Sequence, residues 1–592
     1  MTINSRPTGE QKILNTIVQW YFPALTILSL LIFDILCVMH SGWGSYLFTR
    51  WSTWSFLFFF GFLLSMPAMI WNLRKTQAVI ITLLTIWLWA QILYYRQFSG
   101  AIPLGSYSQI FAVSNHYGDS IMTLMQWWDL LFLLPPVFAW YLTTKHVKTS
   151  HNNKIIYWSL LGITFLISWV TSLARHGFEG TFRAAHWAGY VVRPAQFTPI
   201  GILIYDSVTR CVDIDEQSLE EVNRWKKRHK QMFTSSELSP EKRDKIILIL
   251  VESFDSWAVT AEVEGLKVMP TLNKLLTYST TLFAPNVVNQ TKDGHSSDGQ
   301  FMLFTGMLPL QTGALALEHP DNVHHSLAKA FAAQYHVMPT YYDCSPKATW
   351  NKDFTITSLG FENRTFKEDY LVQCNAKIQS TSHPWCKRIS DGDMTDFIIQ
   401  KMETDSTFAP GKPWLVEFVT ASSHSDYNLP EGETSSLTLR KSYPKLLEQY
   451  LKIMRYVDEC LAKLLQYIDS RDDNDRISVV IIGDHSAPYI ESFRSKFLSP
   501  DPLIPLIILN SPIAGKFEKY MGQVDVYPTL LDLFGLNYQY RGLGVSILGS
   551  EHPGAAVGPD GKCYGNAPVN VKQHLQDAYN VSDLILRYDL PD

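Results

Sequence analysis

The chain has no surplus of basic residues: 50 Lys and Arg stand against 55 Asp and Glu in 592 residues, a formal net charge of -5. Binding a phosphate backbone needs a concentrated basic surface, so a nucleic-acid partner is excluded. Cysteine is scarce, seven in all, and none falls in a Cys-x-x-Cys or Cys/His cluster of the kind that forms a zinc knuckle. No small-x-small cleavage site follows the first apolar run, which is also too long for the core of a signal peptide. The first third lacks a polar stripe at helical spacing, and this excludes the buried helices of a soluble domain.

What stands there instead is a series of apolar runs: Ile17 to Val38, Trp54 to Trp71, Ala78 to Tyr95, Leu124 to Leu142 and Ile156 to Leu173. Each approaches the roughly 20 residues a helix needs to cross a bilayer, so five membrane spans are expected. The fourth carries Asp129, Pro135 and Pro136, which membrane helices tolerate where neighbours satisfy the backbone. Lys12, Arg74, Lys75, Lys145, Lys148 and Lys154 mark alternate loops, against Arg50 and Arg96 in the others. That bias places the N-terminus in the cytoplasm, and an odd number of spans exports everything after about Arg175. Aromatic residues at the run ends, such as Trp51, Trp71, Trp127 and Trp128, fit an interfacial belt.

Residues 176–243 read as a connector. Its first half is aromatic (Phe178, Phe182, Trp187, Tyr190), suited to the bilayer surface or to a packing arm, and it ends in a charged helix marked by Ser218 and Glu221. Six cysteines follow the spans, and an oxidising compartment permits disulfides. Cys374 and Cys386 enclose a short Pro-containing stretch and are the expected pair, whereas Cys460 shares a helix face with Met454, Val457, Leu461 and Leu464 and reads as a buried thiol.

From residue 244 onward the pattern changes to short β-branched runs, Ile246 to Val251, Trp414 to Thr420, Ile477 to Ile482 and Leu503 to Leu509, apolar throughout as strands buried on both faces should be. Helical stretches such as Thr271 to Tyr278, Ser326 to Gln334 and Leu446 to Ile468 lie between them. The expectation is an α/β domain with a mostly parallel sheet over residues 244–592, behind a five-helix transmembrane domain over residues 1–175. Ligands of such sheets collect beyond the carboxyl ends of the strands. Those positions hold Glu252, Gly483-Asp484-His485 and Ser422-Ser423-His424. Taken singly, each is as well explained as a helix cap or a surface histidine. Together they supply mixed oxygen and nitrogen ligands for a divalent cation. The segment from Asn289 to Asp298 follows a proline-bearing turn and puts hydroxyls at a helix start, where backbone amides favour an anion; a plain serine cap is the alternative.

The order of these parts, Leu250-Val251-Glu252-Ser253-Phe254, Gln290-Thr291 with Gly294-His295-Ser296-Ser297-Asp298, Trp350-Asn351-Lys352-Asp353, Gly483-Asp484-His485 and Val524-Asp525-Val526-Tyr527-Pro528-Thr529-Leu530, resembles the lipoteichoic acid synthase family of the alkaline phosphatase and sulfatase superfamily. The resemblance covers nearly the whole chain. It implies five spans, an exported catalytic domain and one divalent cation, manganese first, with magnesium or zinc as alternatives. The metal shell it implies is Glu252, Ser296, Asp484 and His485, with Ser296 the nucleophile where the family more often has threonine. His424 matches a histidine near the leaving group, and Trp350 with Lys352 matches a pair contacting the head group. The implied reaction moves phosphoglycerol from phosphatidylglycerol, through a phosphoserine, to an envelope glycan or lipid acceptor. The cytoplasmic membrane would hold the chain and present the lipid.

Two departures qualify this. Asp343-Cys344-Ser345 stands where the family more often has a His-Gly-Asp-like group, and the cysteine content points to a Gram-negative envelope. Phosphoethanolamine transfer, a phosphodiesterase using water, and an inactive membrane scaffold are the competing readings. A formylglycine sulfatase is disfavoured because Ser296 is followed by Ser297-Asp298-Gly299-Gln300 and not by x-Pro-x-Arg.

Overall fold

The structure is a computed structural model. It describes residues 9–40, 51–98, 102, 125–144, 151–182, 198–210 and 214–591, apart from 234–242, 312, 321, 348, 374–377, 380–387, 426, 489 and 491–500. The Cys374–Cys386 pairing and the aromatic pair Trp187 and Tyr190 lie outside the described residues. The chain divides into two compact units, residues 1–212 and 213–592, and the stretch read as a connector is split between them.

The first unit contains α1 (Gly9–His40), α2 (Trp51–Leu64), α3 (Met66–Ile70), α4 (Arg74–Phe98), α5 (Leu134–Thr143) and α6 (His151–Phe182). Among the described residues three helical stretches are long and apolar enough to cross a membrane: Val18–His40, Arg74–Arg96 and His151–Ala174. The other two expected spans are present as shorter, interrupted helical stretches. The second expected span is broken between α2 and α3, where the Ser65 hydroxyl bonds back to the Gly61 carbonyl at 2.6 Å and Pro67 brings no amide to the helix. The fourth is a 3₁₀ turn, Trp127–Leu133, followed by α5, because Pro135 and Pro136 fit only a first helical turn. Asp129, the charge that interrupts this run, is buried against Arg96 of α4 in a two-pronged pair with contacts of 2.5 and 2.7 Å.

The second unit opens with α7 (Glu216–Met232). Its cap is Asp215, whose side chain accepts the Ser218 amide at 2.8 Å, so the helix starts before the Ser218–Glu221 signal read in the sequence. Nine strands form the main sheet: β1 (Lys245–Val251), β2 (Leu282–Val288), β3 (Thr340–Asp343), β4 (Asn363–Thr365), β5 (Trp414–Val419), β6 (Ile477–Gly483), β7 (Leu503–Leu509), β8 (Gly515–Lys516) and β9 (Met521–Gly522). Their order is β8-β2-β7-β6-β1-β5-β3-β4, with β9 also on β2. The sheet is mixed: β6, β1, β5, β3 and β4 run parallel, but β7 is antiparallel to both β6 and β2. A strand buried on both faces reads the same in either direction, so the apolar run at β7 gave its place and not its sense.

β2 replaces the expected proline-bearing turn. Pro285 is accommodated where the β2–β7 register slips, between Ile504 and Leu506, at a position that asks no ladder bond of it. Helices α8 (Ser296–Thr305), α9 (Leu327–Tyr335), α10 (Lys352–Ser358), α11 (Lys445–Asp469) and α12 (Val569–Arg587) complete the parts needed below. All seven residues of β1 and of β6 are buried, sealing the centre of the sheet between two apolar clusters. Cys460 is a buried free thiol on α11.

Candidate active site

β1 and β6 are adjacent and in parallel register, with Val251 opposite Gly483. The residues that follow them, Glu252 and Asp484-His485, therefore emerge side by side at one end of the sheet. The backbone is pinned there: the Ser253 amide donates to Asp484 Oδ1 at 2.8 Å, and the Asp484 amide to the Val251 carbonyl at 3.0 Å. Ligand atoms of Glu252, Asp484 and His485 all lie within 4.8 Å of one another, and all three residues are buried. His485 Nε2 is 3.4 Å from Glu252 Oε1 and 3.6 Å from Asp484 Oδ2.

The imidazole is oriented from behind. Nδ1 lies 2.9 Å from the Ser486 carbonyl, which can only accept, so Nδ1 carries a proton and Nε2 faces the carboxylates. Burial alone would lower this histidine, but Asp484 and Glu252 prevail and hold it up to about 10. Burial, reinforced by Glu252, pushes the Asp484 carboxyl up to about 7. Two buried carboxyls and an imidazole in so small a space repel and protonate one another, and a divalent cation fits that donor set by cancelling the repulsion.

Ser296 joins them from α8. Its hydroxyl is 3.2 Å from Glu252 Oε2 and 3.3 Å from His485 Nε2, at the first position of the helix. The preceding residue, His295, holds φ at 42°. Asp298 ties the approach loop by accepting the amides of Lys292 and Gly294 at 2.9 and 3.0 Å. Gly299 lets α8 press on the Asp484 loop: a Cβ there would sit 2.1 Å from the Asp484 carbonyl oxygen.

Of the other expected residues, His424 is half-buried in the loop after β5, with Ser425 Oγ 3.3 Å from its Nδ1. Its loop is anchored to the cluster: Ser423 Oγ donates to the Glu252 carbonyl at 2.6 Å, and Thr420 Oγ1 accepts the Glu252 amide at 3.0 Å. Trp350 and Lys352 line a pocket that also takes in Ser297, Asp298 and Gln300, so the structure brings them beside α8. Lys352 is buried and ion-paired with Asp343. Non-glycine residues at positive φ gather here, with Ser253 at 52°, Trp350 at 55° and Asn351 at 53°, strain of the kind that functional sites retain.

Sequence reasoning missed Ser253, Asp298, Gly299 and Gln523, which act through backbone bonds. Gln523 Nε2 donates to the Asp484 carbonyl at 2.7 Å, and the Val524 amide donates to Gln290 Oε1 at 3.1 Å. The motif around Asp525 is thus a brace, its carboxylate taking the Gly522 and Val545 amides at 2.7 Å each. Ser253 and Asp298 stand within the quoted motifs, and Gly299 and Gln523 directly beside them, without any indication of what they hold.

Two family models match the chain: Sulfatase over residues 244–536 and Lipoteichoic acid synthase N-terminal domain over residues 18–188. Lipoteichoic acid synthase 2 of Bacillus subtilis is 23% identical over 530 residues, covering 84% of this chain and 77% of that protein. Lipoteichoic acid synthase of Staphylococcus aureus is 23% identical over 502 residues, covering 79% and 74%. Among solved structures, the lipoteichoic acid synthase LtaP from Listeria monocytogenes superposes with a TM-score of 0.52 at 15% identity, over 62% of this chain and 98% of that one. A protein of the alkaline phosphatase superfamily from Vibrio parahaemolyticus gives 0.50 at 16% identity, over 64% and 97%. Residues 244–536 thus match the Sulfatase model and share the fold of the alkaline phosphatase and sulfatase superfamily. Within it the chain is similar to the lipoteichoic acid synthases, over both its N-terminal apolar part and its sheet domain.

Proposed function

We propose that the protein moves a phosphoglycerol head group from phosphatidylglycerol to an envelope glycan or lipid acceptor, by way of a phosphoserine on Ser296. The observation that carries this reading is the Ser296 hydroxyl, set at a helix start within 3.3 Å of both Glu252 and His485. Glu252, Asp484, His485 and Ser296 Oγ would hold one divalent cation, manganese in this reading with magnesium or zinc as alternatives, and it supplies charge neutralisation that makes the serine hydroxyl more acidic.

Ser296 Oγ, its proton already given up to solvent, attacks phosphorus in line as the alkoxide, at the start of α8, where the helix dipole favours the phosphoryl charge. The bond from phosphorus to the diacylglycerol oxygen breaks, and His424 gives that oxygen a proton. An acceptor hydroxyl then attacks the phosphoserine, its proton returns to His424, and the bond from phosphorus to Ser296 Oγ breaks, leaving the alkoxide with which the cycle began. Trp350 and Lys352 flank the head group. The chain sits in the cytoplasmic membrane with residues 244–592 on the extracytoplasmic side, where lipid donor and acceptor meet.

One observation favours phosphoethanolamine as the transferred unit: Lys352 is neutralised by Asp343, so the wall beside the head group is not a bare cation. Membranes carrying labelled phosphatidylglycerol or phosphatidylethanolamine, incubated with the purified full-length protein, separate the cases by mass spectrometry of the product. Transfer of labelled glycerol phosphate supports the first reading and transfer of labelled phosphoethanolamine the second. Free head-group phosphate as the sole product would make the enzyme a phosphodiesterase.

A further inference from the structure

Behind the pocket wall lies a buried polar chain that none of these steps uses. Asp343, the last residue of β3, is fully buried. Its Oδ2 takes both the Lys352 ammonium and the Tyr341 hydroxyl, the latter at 2.6 Å, and its Oδ1 accepts the Ser345 amide at 2.7 Å. Gln300, one turn along α8 from Ser296, donates from one amide nitrogen to Tyr341 Oη at 3.3 Å and to Glu417 Oε1 at 2.9 Å. The chain therefore runs from the nucleophile helix to the Lys352 side chain.

Its charges do not balance by count. Two carboxyls, Asp343 and Glu417, are buried near one ammonium. Glu417 resolves this: its Oε2 is buried without a hydrogen-bond partner, and burial, with Asp343 nearby, pushes its carboxyl up to about 8. Glu417 is then neutral at pH 7, and Asp343 is the counter-charge of Lys352. Lys352 lines the pocket and Asp343 does not, so what a bound head group feels of Asp343 reaches it through Lys352.

We propose that Asp343 is a specificity-determining positioning residue: paired behind the wall with Lys352, it cancels the ammonium's field, so that the site accepts a head group bearing its own ammonium as readily as an uncharged polyol. This deepens the phosphotransfer reading and rests on it. An unpaired Lys352 would repel an ethanolamine-type ligand, and an unpaired Asp343 would attract one.

The test is binding of sn-glycerol phosphate and of phosphoethanolamine to the full-length protein in detergent with manganese present, measured by calorimetry. D343N is expected to lower the phosphoethanolamine-to-glycerol phosphate affinity ratio about tenfold, and K352M to raise it by a similar factor. The D343N/K352M double variant, neutral again, should return the ratio to within about threefold of wild type. Loss of packing alone would weaken both ligands together and leave the ratio in place. Should D343N not fold, K352M and K352R carry the test, the first raising the ratio and the second leaving it within about twofold. A ratio that moves the same way in both single variants, or stays put in all, overturns the assignment. If the ratios shift as stated while Ser296→Ala keeps full activity, the phosphoserine step is at fault and the charge assignment stands. If neither phosphate binds the wild type, both fail.

Discussion

Ser296 and Ser297 are adjacent hydroxyls with opposite prospects. Ser296 meets Glu252 and His485, whereas Ser297 turns its oxygen to the Gly294 carbonyl at 3.0 Å. Ser296→Ala is therefore expected to reduce head-group transfer by about a thousandfold or more and to abolish the phosphorylated protein seen by intact mass spectrometry, while Ser297→Ala changes transfer less than about tenfold. Glu417 makes a pH prediction. Its folded carboxyl titrates near 8, above its value in an unfolded chain, so its neutral form favours folding fully below about pH 4.5 and that contribution is lost as pH rises towards 8. Glu417→Gln, neutral throughout, should flatten that part of the stability curve, read as melting temperature against pH for both proteins. Residues at strand ends were legible in the sequence because Glu252, Asp484 and His485 interrupt apolar runs at positions where such sheets bind ligands. Glu417 was not, because it lies inside the run from Trp414 to Val419, and its partners Gln300 and Asp343 are remote in sequence.

A helix start, a strand end and a loop meet in the site, and their spacing depends on one residue without a side chain. Gly299→Ala would drive a methyl to within 2.1 Å of the Asp484 carbonyl, a backbone atom that cannot swing away. We expect a loss of about 1–3 kcal/mol in stability and, if the proposed cation site is manganese-loaded, weaker binding of that ion by about tenfold, since α8 and the Asp484 loop must separate. Thermal unfolding with and without manganese checks both. Elements with a simple local signature were legible: α9 is capped by Ser326, whose side chain accepts the Lys329 amide at 3.1 Å, and α11 spans Lys445–Asp469 with one apolar face. β2 was not, because Pro285 argues against a strand unless a register slip on the facing strand receives it. The sense of β7 was not either, since direction leaves no trace in a run buried on both faces.

At the scale of the whole molecule, the boundary of the second unit lies ahead of its sheet. Trp225 of α7 is buried, donates to the His574 carbonyl of α12 at 2.9 Å and stacks on the His574 ring at 4.4 Å between centroids. A chain begun at residue 244 would leave that surface open, at a cost of about 3–5 kcal/mol for the tryptophan alone. One begun at residue 213 is expected to unfold in a single cooperative transition, and the shorter one to aggregate on expression, which light scattering distinguishes. The charge bias reads this unit as exported, and three or five spans, both odd, give it the same side. In the first unit, Arg96 and Asp129 are each other's neutralisation. An isolated aspartate entering lipid costs about 2.5–3.5 kcal/mol. The segment from Trp127 to Thr143 therefore has reason to partition beside α4 and not ahead of it, so that the two leave the translocon together, as a hairpin already carrying its own counter-ion.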